Sequence, residues 1–145
     1  MRRYSLVAVG GGLGSLLRFA IGESLAPVTP WSPLATLLIN VSGSFVIAFL
    51  HFLSDPSGSI YLTPRIRLFL LVGFCGGYTT FSTFSLLCFE AIQHGRWFDA
   101  LLNILLSHVL CLSGVWLGMM TSEYARAGLI RALRLIRFVF RRESE

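Results

Sequence analysis

The chain contains no lysine: its 12 basic residues are all arginine, and charged residues of either sign make up only 13% of the 145 positions. A soluble domain carries about a quarter charged residues, so this scarcity excludes an ordinary water-facing surface. The acids are fewer still, 7 in all. Glu23 and Glu90 fall near the ends of apolar runs, and no acid occupies the centre of the first run. That omission counts against a proton-coupled antiporter, which needs a membrane-embedded carboxylate. The three cysteines, Cys75, Cys88 and Cys111, are odd in number and all lie inside apolar runs. They read as buried thiols, not a disulfide framework. No Cys/His spacing suits a metal and no nucleophile–base set is visible, so nothing points to an enzyme.

What the chain has in abundance is apolar length. It is 54% hydrophobic, with a mean hydropathy of +0.72. Four apolar stretches follow one another, about Tyr4–Gly22, Pro33–Leu53, Ile66–Ile92 and Trp97–Thr121. Each is long enough to cross a hydrocarbon core of about 30 Å as a helix. The expected fold is an all-α integral membrane protein with four transmembrane helices. Residues 1–122 form the four-span domain, and residues 123–145 a basic amphipathic cytoplasmic tail. Arg2-Arg3 before the first run imitates a signal peptide, but Arg18 and the glycines at 10, 11, 12 and 14 argue against a simple cleaved signal.

The arginines are unevenly placed. Four spans put both termini and the middle loop on one side. That side receives Arg2, Arg3, Arg65, Arg67, Arg126, Arg131, Arg134 and Arg137, against Arg96 alone on the other, a bias of about eight to one. The positive-inside rule then places both termini in the cytoplasm, for a cell inner membrane or plasma membrane. In the tail, Arg126, Arg131, Arg134, Arg137, Arg141 and Arg142 share one broad helical face. Leu129, Leu133, Leu135, Ile136, Val139 and Phe140 take most of the other. That pattern suits a helix lying on anionic membrane lipid; the plainer alternative is a frayed extension whose arginines only enforce topology. The pI of about 9.7 arises mainly from membrane-flanking arginines, so no nucleic-acid partner is inferred.

Polar residues that persist inside the spans mark where function could lie. In the first, Gly10 and Gly14 make a small-xxx-small face for close helix approach. Without a strand–turn–helix context the glycines do not read as a dinucleotide fingerprint. Arg18 either snorkels to the interface or attracts anions within the membrane. In the second, Thr36 and Asn40 share one helical face, and Ser42, Gly43 and Ser44 continue the small, polar character. Asn40 can glue helices or line a path for an anion, since its amide carries two donors.

The third span concentrates these features. Residues 73–85 read Gly-Phe-Cys-Gly-Gly-Tyr-Thr-Thr-Phe-Ser-Thr-Phe-Ser. Irregular or polar backbone at membrane depth is tolerated only where protein or a water-filled cavity surrounds it. Gly76-Gly77 with Thr79-Thr80 predict a helix broken near its centre. Phe81 and Phe84, three apart, point to roughly the same side, and their electropositive ring edges can face a small anion. Ser82, Thr83 and Ser85 supply hydroxyls. The competing reading is ordinary packing with hydroxyls bonded back one turn, which the density of breakers and donors makes unattractive.

Over essentially its whole length the chain resembles the CrcB/Fluc fluoride channel family. The resemblance rests on Gly11-Gly12-Leu13-Gly14-Ser15-Leu16-Leu17-Arg18, on Thr36 through Phe45, and above all on Gly73 through Ser85. It implies a passive fluoride exporter built as an antiparallel, inverted dimer with pores at the edges of the subunit interface. Phe81 and Phe84 would be the aromatic pair contacting fluoride, and Asn40 a hydrogen-bond donor in the pore. Thr36, Ser82, Thr83 and Ser107 would form a polar track, and Arg18 matches the family's first-span arginine. The backbone carbonyls of Gly76 and Thr79, from both subunits, would hold a structural sodium ion.

Three departures accompany the resemblance. Leu87 stands where the family usually has Glu, Asn103 where a Tyr is frequent, and Cys111 replaces a hydroxyl one turn beyond Ser107. The arginine bias also favours one orientation, whereas an inverted homodimer needs one sequence to insert both ways. A heterodimer with an oppositely oriented homologue is therefore expected over a homodimer. The alternatives in other classes are a small multidrug-type proton-coupled antiporter and a non-conducting partner subunit.

Overall fold

The computed structural model describes residues 2–27, 33–54 and 62–142. Among them every regular element is helical: α1 (Arg2–Leu25), α2 (Leu34–Leu53), α3 (Pro64–Arg67), a π-helical stretch Leu68–Cys75, α4 (Gly76–Tyr78), α5 (Phe81–Gln93) and α6 (Trp97–Arg142). Four spans are long and apolar enough to cross a membrane: Arg3–Leu25, Leu34–Leu53, Pro64–Gln93 and Trp97–Leu129. They coincide with the four apolar runs of the sequence, slightly extended. The protein is thus a multi-pass membrane protein with one bent span.

Local chemistry sets several of the boundaries. Thr63 caps α3, its hydroxyl accepting from Ile66 N–H at 3.4 Å, with Pro64 in the first turn where its missing N–H costs nothing. Gly95 turns the chain between α5 and α6 at φ 70°, a conformation that side chains with a Cβ rarely adopt. The C-terminus of α2 is held by two arginines. Arg67 donates to the Ser54 carbonyl and, at 2.9 Å, to its hydroxyl, while Arg126 donates to the Phe52 carbonyl at 3.3 Å. These bonds meet the helix-end carbonyls and complement the negative end of the dipole. Arg67 and Arg126 therefore do structural work beyond setting topology. Arg67→Ala is expected to lower stability in detergent by about 1.5–3 kcal/mol, the usual worth of a hydrogen bond to a charged group. A thermal melt equal to wild type would contradict that role.

Glycines fix how the spans pack. α1 lies along the first half of the third span, and α2 along α6. A Cβ on Gly10 would come to 2.6 Å of the Phe69 carbonyl oxygen, and one on Gly14 would overlap the Phe74 carbonyl oxygen. On the second pair, a Cβ on Gly118 would lie 2.5 Å from the Phe45 carbonyl oxygen and one on Gly114 would lie 3.0 Å from that of Val41. Lipid supplies no hydrophobic drive between helices, so such backbone-close contacts carry much of the association. The π-helical winding coincides with the stretch pressed on α1 through Gly10 and Gly73. Its sequence, Leu-Phe-Leu-Leu-Val-Gly-Phe-Cys, carries no signal that separates π from α.

α6 runs unbroken for 46 residues, through the boundary at residue 122 and into the tail. The tail side chains on which its amphipathic pattern rests, beyond Leu129 and apart from Arg131, lie outside the described residues. Large apolar side chains such as Leu16, Phe19, Phe89, Leu112 and Trp116 stand exposed along the spans, as expected where lipid or another subunit covers them.

Candidate functional site

The third span does break, and the break falls two residues after the glycines. Gly76 and Gly77 remain helical; the backbone leaves the helix at Thr79 (φ −80°, ψ 157°) and Thr80 (φ −149°, ψ 119°) before α5 begins. Gly77 serves packing instead, since a Cβ there would strike the Gly11 backbone. Gly76 faces open space: its own helix apart, nothing among the described residues lies within 4 Å of where its Cβ would be.

Asn40 closes the break from α2. Its Oδ1 accepts from Thr80 N–H at 2.9 Å and its Nδ2 donates to the Thr80 carbonyl at 3.0 Å. One side-chain amide thus replaces both hydrogen bonds that the extended residue loses, as membrane depth demands. Asn40 remains half-buried on the wall of the adjoining cavity, with its second N–H uncommitted among the described residues.

The same arrangement releases two carbonyls. In a continuous helix the Gly76 carbonyl would accept from Thr80 N–H and the Thr79 carbonyl from Thr83 N–H. Thr80 N–H goes to Asn40, and Thr83 N–H goes to the Thr80 hydroxyl at 3.2 Å, which caps α5. Gly76 and Thr79 are therefore left with free oxygen acceptors beside an open face. No group of three or more His, Cys, Asp or Glu side chains could hold a metal among the described residues. Any cation here would be a hard one on backbone oxygen.

Beside the break lies a groove of about 390 Å³, walled by α2, the break, α5 and α6. Asn40, Phe81, Phe84 and Ser107 from the expected set all line it. The two phenylalanine rings sit 5.5 Å apart, inclined by 40°. Phe84 is buried, whereas Phe81 is 75% exposed. Ser107 donates its proton to Asn103 Oδ1 at 3.2 Å, and Asn103 in turn donates to Cys88 Sγ at 3.2 Å. As placed, Ser107 turns lone pairs and not a donor to the groove, a direct result of Asn standing at 103.

Thr79 lines the groove as well, whereas Gly76, Thr36, Ser82, Thr83 and Arg18 lie off its wall. Thr36 is buried one turn before Asn40. Ser82 and Thr83 cluster with Thr80: the Thr80 hydroxyl donates to Thr83 Oγ1 at 3.1 Å, so Ser82, also at 3.1 Å, must donate to Thr80. That leaves the Thr83 hydroxyl proton uncommitted. Arg18 is half-buried on α1, without a hydrogen bond or ion pair among the described residues. The groove further takes in Ser44, Thr80, His108 and Cys111. Helical spacing could have found three of them: Ser44 follows Asn40 by four residues, Cys111 follows Ser107 by four, and His108 precedes Cys111 by three.

Fold and site together define a small polytopic helical membrane protein whose polar groups converge on one groove beside a helix break. The description "CrcB-like protein, Camphor Resistance (CrcB)" matches residues 5–119, and the chain belongs to this family. Among its relatives, a fluoride-specific ion channel FluC of Rhodospirillum rubrum is 47% identical over 123 residues, 79% of this chain and 90% of the relative. Its namesake in Gluconobacter oxydans is 40% identical over 127 residues, covering 87% and 88% of the two chains. One in Methanococcus maripaludis is 41% identical over 124 residues, 86% of this chain and 98% of the relative. These relatives lend no support to the antiporter or helper alternatives.

Proposed function

We propose that this chain is a subunit of a fluoride-selective channel that releases cytoplasmic fluoride passively. The observation that carries this reading is the groove: an amide held by the helix break and a buried–exposed phenylalanine pair share one wall, in a chain related to fluoride-specific channels. Fluoride is small and strongly hydrated, so a pore must offer donors that are already ordered. The second N–H of Asn40 and the ring edges of Phe81 and Phe84 are such donors. Thr36, Ser82, Thr83 and Ser107 would continue a polar track, as the family resemblance implies, with the Thr83 hydroxyl as its uncommitted donor and Ser107 contributing lone pairs. Neutral donors bind favourably yet release the ion, which conduction requires. Arg18, near the end of its span, would draw anions toward the membrane.

Two further parts belong to the same reading. The Gly76 and Thr79 carbonyls suit a sodium ion, which would supply a fixed positive charge joining two subunits at their helix breaks. One chain offers only part of a coordination shell, so the ion implies a second, inverted copy or homologue. The open face at Gly76 and the exposed Phe81 agree with cover from that subunit. Both termini face the cytoplasm in the favoured orientation, and the arginine bias supports pairing with an oppositely oriented homologue.

Fluoride efflux from proteoliposomes tests this directly. Vesicles holding the chain with a homologous partner should release fluoride and retain chloride, and those holding the chain alone should not. Efflux from the chain alone would reject the heterodimer and keep the channel; no efflux in either form would reject the channel.

A further inference from the structure

His108 stands exposed on α6 at the groove wall, and Phe84 meets its ring edge-on at 6.1 Å. Its Nδ1 lies 2.7 Å from the Ile104 carbonyl oxygen. A carbonyl can only accept, so Nδ1 carries the hydrogen, and Nε2 is the one polar atom left for the groove. In the neutral ring Nε2 is a lone pair, which repels an anion. Protonated, it becomes a cationic N–H donor at the same place, with no movement of the ring.

The surroundings leave this charge unopposed. From α2 the groove receives Asn40, Ser44 and Ile47; from the break and α5 it receives Thr79, Thr80, Phe81 and Phe84. From α6 it receives Ser107, His108, Cys111 and Leu112, of which Cys111 is the only other titratable one, and neither carboxylate nor arginine lines the groove among the described residues. No described side chain of the lining thus carries a charge except the one that His108 can acquire. Because Phe84 touches both Phe81 and His108, the imidazole adjoins the aromatic pair directly.

We propose that His108 is a proton-conditional anion ligand of the groove, silent when neutral and recruiting fluoride when protonated. This rests on the groove being the fluoride path. Flux should then rise as pH falls and the ring gains its proton. The expected gain is about fivefold, the effect of one unit charge a few ångströms from the anion in a largely aqueous groove.

The test is fluoride efflux from proteoliposomes at matched internal and external pH, in whichever subunit composition conducts, with leak from protein-free vesicles subtracted. Wild type should show the rise; His108→Gln and His108→Asn, whose amides cannot gain a charge, should be flat across the same pH series. His51→Gln and His94→Gln should keep the rise, which ties the effect to His108 even if one variant at that position fails to fold. A wild-type profile that is flat or falls with acid overturns the proposal, as does a rise that persists in either His108 variant. Absence of fluoride flux at every pH instead overturns the channel reading beneath it.

Discussion

Asn40→Ala is expected to abolish fluoride flux and to lower stability in detergent by about 2–4 kcal/mol. The reason is the pair of bonds to Thr80, at 2.9 and 3.0 Å. Alanine leaves an N–H and a C=O unsatisfied at membrane depth, and each orphaned buried group costs about 1–3 kcal/mol. The chain can recover them only by rewinding Thr79 and Thr80 into helix. That would return Thr80 N–H to the Gly76 carbonyl and shift Phe81 and Phe84 around the helix axis. Asn40→Asp is a finer probe: a carboxylate still accepts from Thr80 N–H but donates nothing to its carbonyl and places a negative charge beside the anion path. Both variants should fail to conduct. Flux from Asn40→Ala within twofold of wild type, with an unchanged melt, would show that Asn40 neither holds the break nor serves the pore.

Gly77→Ala should be severely damaging, and Gly76→Ala, its neighbour, nearly harmless to the subunit's own fold. At Gly77 the added carbon would strike the Gly11 carbonyl oxygen and lie 2.8 Å from its Cα, so α1 must separate from the third span. Overpacking of this kind costs about 1–3 kcal/mol, and more when the obstacle is backbone. At Gly76 nothing obstructs the methyl, and alanine's better helix propensity should raise stability by up to about 1 kcal/mol. The two substitutions therefore have opposite signs in a melt of the dissociated subunit. Equal melts for both would refute the packing argument. A Gly76→Ala protein that melts normally yet no longer assembles would place another subunit against that face.

Most of the architecture was legible because membrane spans are written in length and apolarity, which composition reports without ambiguity. The break in the third span is legible too: of the two pairs that predict it, Thr79-Thr80 leaves the helix and Gly76-Gly77 does not. Glycine lowers the cost of leaving a helix, but Gly76-Gly77 stayed wound because Gly77 is needed against Gly11. The departure came where Asn40 could take over the bonds of Thr80. That substitution of partners joins residues 40 apart in the chain, and no local pattern announces it. Phe81, Phe84 and Asn40 are legible because their types fit a chemistry, and Ser107 only through the family resemblance. His108 is not, since one histidine on an apolar run is usually a packed ring bonded to its own helix, as its Nδ1 indeed is. The π-helical stretch had no sequence signal at all.

The length of α6 has a mechanical consequence. At 1.5 Å per residue its 46 residues make a rod of about 69 Å, more than twice the hydrocarbon thickness. Whatever the tilt, roughly half of it must stand clear of the acyl chains, so the fourth span is the buried end of a mast. Arg126, past the middle of the mast, ties it to the end of α2. A push on the free end would therefore be felt at α2, the helix that carries Asn40. In an inverted pair the two masts rise from opposite faces, giving each side of the membrane its own handle on the groove.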